Sequence, residues 1–429
     1  MSLTSLPDLL SLFRDDARVA RIAEGLQPSN ARVQIAGTIG SSQALIAASV
    51  IDRMKGVHVF VLTDKEEAAY FINDLEALRS KDKEARNAKK EGDMLFYPAP
   101  SRSPYDPEGH HDGERVSRTE VLEVLMKKPE HLVIVTYPEA LVPLVVGQET
   151  LVKNTLTVKR NEELPIDTLE EWLLETGFSR VEFVYEPGQF SVRGGIVDVF
   201  SYGSDKPYRI ELYGDNVESV RRFDPQDQLT VERLAEAVIV PDLQDEDAAR
   251  QQLFFAQLPE NATIWLRDLQ VIGDAATKQL KLLSEAYERL QEKDKHTKPS
   301  DLLATDAALI KGLLGFRKVF WASSLEPLAS SLISAGDKLA ASGSQLVARI
   351  DFQQRPQPTF AKEFKVLSGD LHNKQNAGYT NLIACNSAKQ SERLYSIFND
   401  MEHEVAFTPL VLDLHEGFID PELKLALYT

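Results

Sequence analysis

Between Gly177 and Asp224 apolar and polar residues alternate in short runs, broken by turn clusters at Glu186-Pro-Gly-Gln, Tyr202-Gly-Ser-Asp-Lys-Pro and Gly214-Asp-Asn. This pattern predicts four strands of an antiparallel sheet, one face on a core and the other open. In the run Tyr208 to Tyr213, Tyr208, Ile210 and Leu212 fall on one side and Arg209, Glu211 and Tyr213 on the other, because side chains alternate across a sheet. A helix stripe of Leu169, Trp172 and Leu173 precedes the strands. Asp167-Thr168 with Glu170 and Glu171 reads as its capping box and Gly177 as its end.

The flanking sequence has a different rhythm. Apolar strands at Ala31 to Ala36, Val57 to Leu62, Met94 to Tyr97 and Leu132 to Val135 alternate with helical patterns, one of them Arg118 to Lys127. Thr63-Asp64 caps a helix carrying Phe71, Leu75 and Leu78. Such alternation predicts an α/β unit, a parallel sheet with helices on both faces. From Asp242 onward helices are expected at Ala248 to Gln257 and Asp274 to Lys293. Strand–cap–helix echoes follow Val319 and Leu382, the latter with Asn386-Ser387 as cap, and Gln353 to Phe360 reads as a linker. The expected division is therefore an α/β domain in two segments, 1–154 and 242–357, an inserted α+β module at 155–241, and a small α/β domain at 358–429. The last residues, Leu425 to Thr429, read as a strand, which implies a longer parent chain.

Composition narrows the function. At 429 residues, 43% apolar and 27% charged, the chain has the make-up of an ordinary globular protein with several cores. No apolar run approaches the roughly 20 residues of a membrane span, and the first residues lack the pattern of a signal peptide. The single cysteine, Cys385, excludes an internal disulfide and an all-cysteine zinc site, so the expected location is cytoplasmic, with no membrane partner. The net charge is −18, and Thr155 to Pro241 holds 9 Lys/Arg against 17 Asp/Glu. Tight autonomous DNA binding needs the opposite balance. A protein partner fits better.

One loop has the place of a phosphate site. Ala36-Gly-Thr-Ile-Gly-Ser-Ser-Gln-Ala follows a strand and opens a helix. With Gly37 as the first glycine of a P-loop, Ser42 takes the second glycine's place, Gln43 the lysine's and Ala44 that of the Ser/Thr which binds Mg²⁺. Gly37, Gly40, Ser42, Gln43 and Ala44 thus form a degenerate nucleotide loop that cannot support phosphoryl transfer. His110, His111, Asp112 and Glu114 lie in a Gly/Pro-rich stretch and read as a solvated loop rather than a metal site. Ser101 and Ser103 near these histidines lack any nucleophile elbow. No catalytic residue, metal or cofactor is expected in these residues.

The runs GQFSVRGGIVDVF and PYRIELYGDNVESVRRFDPQDQLT resemble a segment shared by two bacterial DNA-repair families, the transcription-repair coupling factors (Mfd) and the excinuclease B subunits (UvrB). In both, that module docks on the excinuclease A subunit (UvrA). The decayed loop at Gly37 to Ala44, the run FYPAPSRSPYDPEGHHDGERVSRTEVL and the lack of room after Tyr97 for a long aromatic hairpin resemble the N-terminal, UvrB-like region of the coupling factors. The resemblance implies a degenerate helicase-like α/β fold. It carries the UvrA contacts onto Arg193 in VRGG, Arg209 in PYRIEL and Tyr213 in ELYGD, with Arg180 as a rim candidate; the families usually have Phe where Tyr213 stands. It further implies that RNA polymerase, DNA and ATP/Mg²⁺ engage other domains of the whole protein, and that the docking face can be masked within it. Two other readings remain open. The arginines could merely pair with Glu211, Glu182 or Glu218 on a solvated face, or the chain could be an excinuclease B-type helicase subunit that retains nucleotide or damaged-DNA binding.

Overall fold

The computed structural model describes residues 3–79, 93–101, 103–105, 112–242, 251–322, 346–360, 363–400 and 406–429. The first segment forms α1 (Leu6–Arg14), α2 (Ala17–Gly25), β1 (Arg32–Ala36), α3 (Ser42–Arg53), β2 (Gly56–Val61), α4 (Lys65–Arg79), β3 (Met94–Tyr97), α5 (Asp112–Met126) and β4 (His131–Thr136). Short pieces α6 (Pro138–Leu141), β5 (Val145–Val146) and α7 (Gln148–Asn154) lead to β6 (Leu156–Lys159) and α8 (Ile166–Glu175). Then come β7 (Ser179–Arg180), β8 (Gln189–Arg193), β9 (Ile196–Val199), β10 (Tyr208–Tyr213), β11 (Asn216–Phe223), β12 (Thr230–Leu234) and β13 (Glu236–Ile239). The second α/β segment has β14 (Gln251–Gln252), β15 (Thr263–Leu266), α9 (Leu269–Glu288), α10 (Pro299–Leu302), α11 (Asp306–Leu313), β16 (Arg317–Ala322) and β17 (Leu346–Asp351). The last residues form β18 (Arg355–Pro356), α12 (Phe364–Asn376), β19 (Thr380–Cys385), α13 (Ala388–Asp400), β20 (Thr408–Val411), β21 (Phe418–Asp420) and β22 (Leu425–Tyr428).

The α/β segments interleave in one seven-stranded sheet, β17-β1-β16-β15-β2-β4-β3, in which every pairing is parallel. A parallel sheet is covered on both faces, hence the unbroken burial of β2 and of β4 after its first residue. The inserted module is a six-stranded sheet, β12-β11-β10-β9-β8-β7, antiparallel except for β7 with β8. Leu169 and Leu173 of α8, with Val158 of β6 and Ala237 and Ile239 of β13, close one face of it over Phe190, Val197, Val199, Ile210 and Val220. The C-terminal sheet runs β18-β21-β22-β19-β20. Its two faces have different neighbours. Ile383, Cys385, Ile419, Ala426 and Tyr428 pack with Leu367, Leu371 and Phe398 of α12 and α13, whereas Leu382, Leu410, Phe418, Leu425 and Leu427 join the main α/β core.

Several expectations shift in detail. The expected second strand folds at Gly194-Gly195 into the β8–β9 hairpin, with Gly194 at φ 61°. A side chain at Gly195 would put its Cβ 2.5 Å from the Leu212 carbonyl, so only glycine lets β10 approach there. Helix α8 begins at Ile166 with Pro165 as its N-cap, a residue without a side-chain acceptor, so the expected Asp167-Thr168 cap does not form. Of the helix expected at Ala248 to Gln257, the described part is strand β14, paired with β5, and a 3₁₀ turn Phe254–Gln257. The expected linker Gln353 to Phe360 contains β18, which pairs with β21. The helix expected after Val319 lies outside the described residues. The caps at Asp64 and Ser387 are present, each accepting the N–H three residues on.

Candidate functional site

The open face of the inserted sheet is built around one carboxylate. Asp198 lies between Val197 and Val199, which enter the core, so its own side chain points to the open face. Register places it opposite both Ser191 on β8 and Arg209 on β10. Arg209 grips it with two parallel bonds, Nε to Oδ1 at 2.6 Å and Nη2 to Oδ2 at 2.8 Å, and Arg193 adds Nη2 to Oδ2 at 2.5 Å. A fork of this kind is strong and fixes the Arg209 guanidinium plane. Asp198 itself is 1% exposed, covered by the arginines it holds.

Each arginine is braced a second time. Arg209 donates to Gln228 Oε1 at 2.8 Å and stacks on Phe223, its guanidinium carbon 4.2 Å from the ring centre. Arg193 donates to the Glu182 carbonyl at 2.9 Å and stands 5.2 Å from the centre of the Phe183 ring. Bonding to Asp198 raises the Arg209 pKa above its ordinary value, so the group stays charged. Two rows along, Glu211 accepts from Ser219 at 2.6 Å and Arg221 at 2.5 Å. The Ser219 bond first, then the Arg221 charge, hold its carboxyl below the usual range despite partial burial. Arg209, Arg221 and Arg233 stand directly opposite one another on β10, β11 and β12.

Tyr213 closes strand β10 on the same face, four residues and so about 13 Å from Arg209. It is 78% exposed. Arg193, Arg209 and Tyr213 therefore share one face, as the alternation predicts. Arg180 goes elsewhere: it stands in register with the buried Phe190, and its guanidinium pairs with Glu170 on α8, at the helix side of the sheet. The glutamates considered as partners are not what holds the two arginines. Glu211 goes to Arg221, and Glu182 offers Arg193 its carbonyl. Asp198 escaped the sequence reading, although its place between two valines of an alternating strand was the available signal.

The degenerate loop connects β1 to α3 with Gly37 at φ 66° and Gly40 at φ 51°. Ser42 Oγ donates to Gln354 Oε1 at 2.5 Å, and Gln43, in the lysine's place, accepts from Arg267 Nη2 at 3.2 Å. Gln43 Nε2 faces Thr38 Oγ1 at 3.4 Å, and Ala44 is wholly inside the core. His110 and His111 lie outside the described residues. Glu114 pairs with Lys65 at 3.5 Å, Ser101 is exposed, and Ser103 Oγ accepts from the Tyr105 N–H at 3.4 Å. Among the described residues no group of three His, Cys, Asp or Glu could hold a metal. No helix among them is long and apolar enough to cross a membrane.

Known proteins resemble the chain at two levels. Residues 156–244 match the family of UvrB interaction domains. The chain is also 30% identical over 210 residues to a transcription-repair-coupling factor of Myxococcus xanthus, covering 49% of this chain and 17% of the relative. The corresponding protein of Haemophilus influenzae is 25% identical over 215 residues, 50% of this chain and 18% of its own. The UvrABC system protein B of Legionella pneumophila is 24% identical over 239 residues, 52% of this chain and 34% of its own. The sheet module is thus of the UvrB interaction class. About half of the chain is similar to the transcription-repair-coupling factors, and it is matched to less than a fifth of their length.

Proposed function

We propose that the chain is a recruitment scaffold in transcription-coupled DNA repair, and that the open face carrying Arg193, Arg209 and Tyr213 docks UvrA. The observation that carries this is the preorganisation of the face. Two arginines are locked on a buried carboxylate beside a tyrosine that is 78% exposed. Arginine and tyrosine dominate binding hot spots, and side chains already held in place lose little freedom on binding. The relation to coupling factors and to protein B supports UvrA as the partner, and on this reading RNA polymerase and DNA engage other parts of the whole protein. Gln43 and Ala44 in the nucleotide loop support a role without catalysis or cofactor. The division at 155–241 follows the separate core of the sheet module. A cytoplasmic site of action fits the single, buried Cys385.

The test is UvrA binding by the wild-type chain and by Arg193→Ala/Arg209→Ala, measured by titration calorimetry. Loss of one anchoring arginine is expected to cost about 2 kcal/mol of binding or more. Equal affinity of the two proteins would remove the docking assignment. ATP turnover by the wild type, abolished by Gln43→Ala, would instead favour the helicase-subunit reading.

A further inference from the structure

The first turn of a helix presents N–H groups with no partner in the helix, which is why a glycine-bearing strand-to-helix loop suits an anion. At the start of α3 the Ser42 and Gln43 N–H groups turn back onto the Ile39 and Gly40 carbonyls, and the N–H groups just before the helix are taken by distant parts of this chain. The Ser41 N–H donates to the Glu416 carbonyl at 2.9 Å, and the Glu416 N–H donates back to the Ser41 hydroxyl at 3.0 Å. The Ile39 N–H donates to Gln354 Oε1 at 3.1 Å, the oxygen that also accepts from Ser42. Gly40 is tolerated because it has no side chain: a Cβ there would lie 2.8 Å from the Glu416 carbonyl oxygen and 2.9 Å from the Glu416 Cβ.

The visiting segment is fastened from its other side. The His415 ring stacks on Tyr70 with centres 3.5 Å apart and planes 12° apart, and the His415 N–H donates to buried Asp74 at 2.8 Å. Leu412 and Leu414 enter the main core. Gln354 also donates to Asp420 at 2.9 Å, and Arg18 holds the same Asp420 oxygen at 2.9 Å. These contacts come from α2, α4, the residues after β17 and the C-terminal sheet, and they converge on one loop.

We propose that the β1–α3 loop is a socket for residues 412–417 of the same chain, and that this turn keeps phosphate groups out of it. The turn offers a carbonyl and an N–H where a phosphate would offer oxygens. The missing lysine weakens such a site; the seated turn closes it. The C-terminal unit thereby acquires a role of its own, holding the decayed loop in one shape. The inference is independent of the docking face, and either stands if the other fails.

Hydrogen exchange on the full chain tests it, with inorganic pyrophosphate as the anion probe. In the wild type, peptides spanning 37–44 should exchange slowly, and millimolar pyrophosphate should leave their rate unchanged. In Leu414→Ala/His415→Ala, which changes only the visiting turn, peptides 37–44 and 412–418 should both exchange about tenfold faster, or more, while the inserted sheet keeps its wild-type rates. Slower exchange of the wild-type loop in pyrophosphate would show an open seat and overturn the proposal. So would a variant in which 412–418 opens while 37–44 stays protected, or in which neither peptide speeds up. Should the variant not fold, the wild-type pyrophosphate arm decides alone.

Discussion

Asp198→Asn is the sharpest perturbation of the proposed docking face, because it keeps the side chain's shape and removes the charge that two arginines share. Asp198 accepts three guanidinium N–H groups, at 2.5, 2.6 and 2.8 Å. Hydrogen bonds to charged groups contribute about 1.5–3 kcal/mol each, but the asparagine oxygen retains part of that. The Arg193 and Arg209 side chains are 36% and 14% exposed and regain some water when released. The net loss of module stability should be about 3 kcal/mol, the lower end for breaking a buried pair. Docking should suffer separately. Refixing two freed arginines costs about 0.5–1.5 kcal/mol each, so UvrA affinity should fall by roughly five- to a hundredfold. Calorimetric titration, at a temperature where circular dichroism shows both proteins folded, measures this. In the Arg193→Ala/Arg209→Ala background the same change should cost no further affinity and should raise stability, since it then removes an unpaired buried carboxylate. Wild-type affinity of the single Asp198→Asn protein, or an undiminished loss in the double-alanine background, would refute the idea that Asp198 acts by positioning these arginines.

Three further outcomes follow from other parts of the molecule. Tyr213→Ala should leave the urea midpoint within about 0.5 kcal/mol of wild type, because its ring is mostly in water, yet weaken UvrA binding by about 2 kcal/mol. Arg18→Ala should cost about 3–5 kcal/mol in denaturant unfolding, since it strands Asp16 and Asp420 as buried, unpaired carboxylates. His58 is buried as the neutral ring, accepting from Trp265 and facing the Met54 carbonyl, and burial first of all lowers its pKa from 6.5 to about 4. Its unfolded form binds the proton more readily, so its contribution is complete above pH 6.5 and is lost as pH falls toward about 4, some 3 kcal/mol in all. Urea unfolding of wild type and His58→Gln across that range should show their stability gap narrowing as pH falls.

Local rules made much of this legible. Strict alternation on β10 placed Tyr208, Ile210 and Leu212 in the core and Arg209, Glu211 and Tyr213 on the open face, as found. The apolar runs of β2 and β4 announced a parallel sheet because both faces of such a sheet are covered. What escaped depends on partners distant in sequence. Asp198 meets Arg209 only through the pairing of β9 with β10, and strand register is not written in either strand alone. Arg180 reads like its neighbours, but the parallel pairing of β7 with β8 turns it to the helix side. The two-stranded meaning of GQFSVRGGIVDVF hinged on Gly194-Gly195, where the same residues suit a bulge or a tight turn. Gln354 and Glu416 lie over 300 residues from the loop that they fill, beyond the reach of any periodicity.

The two appendages of the α/β unit are joined to it in physically different ways, and that difference suits a scaffold. The C-terminal sheet contributes Leu382, Leu410, Leu425 and Leu427 to the main core and seats a turn in the α3 loop, so separating it would expose apolar surface and break a buried ionic network. The inserted sheet keeps a core of its own. Its apolar junction with the rest is a small cluster, Leu151, Val238 and Val240 packed on Leu122 and Met126, with the Arg115–Asp242 pair beside it. A binding face on such a module can bear a partner without transmitting strain into the parallel sheet. The anchoring geometry is likewise internal: Asp198, Arg193, Arg209, Phe223 and Gln228 all belong to residues 155–241. The order of the proposed docking face therefore comes from its own sheet, while the C-terminal unit shares its core and an ionic network with the α/β unit.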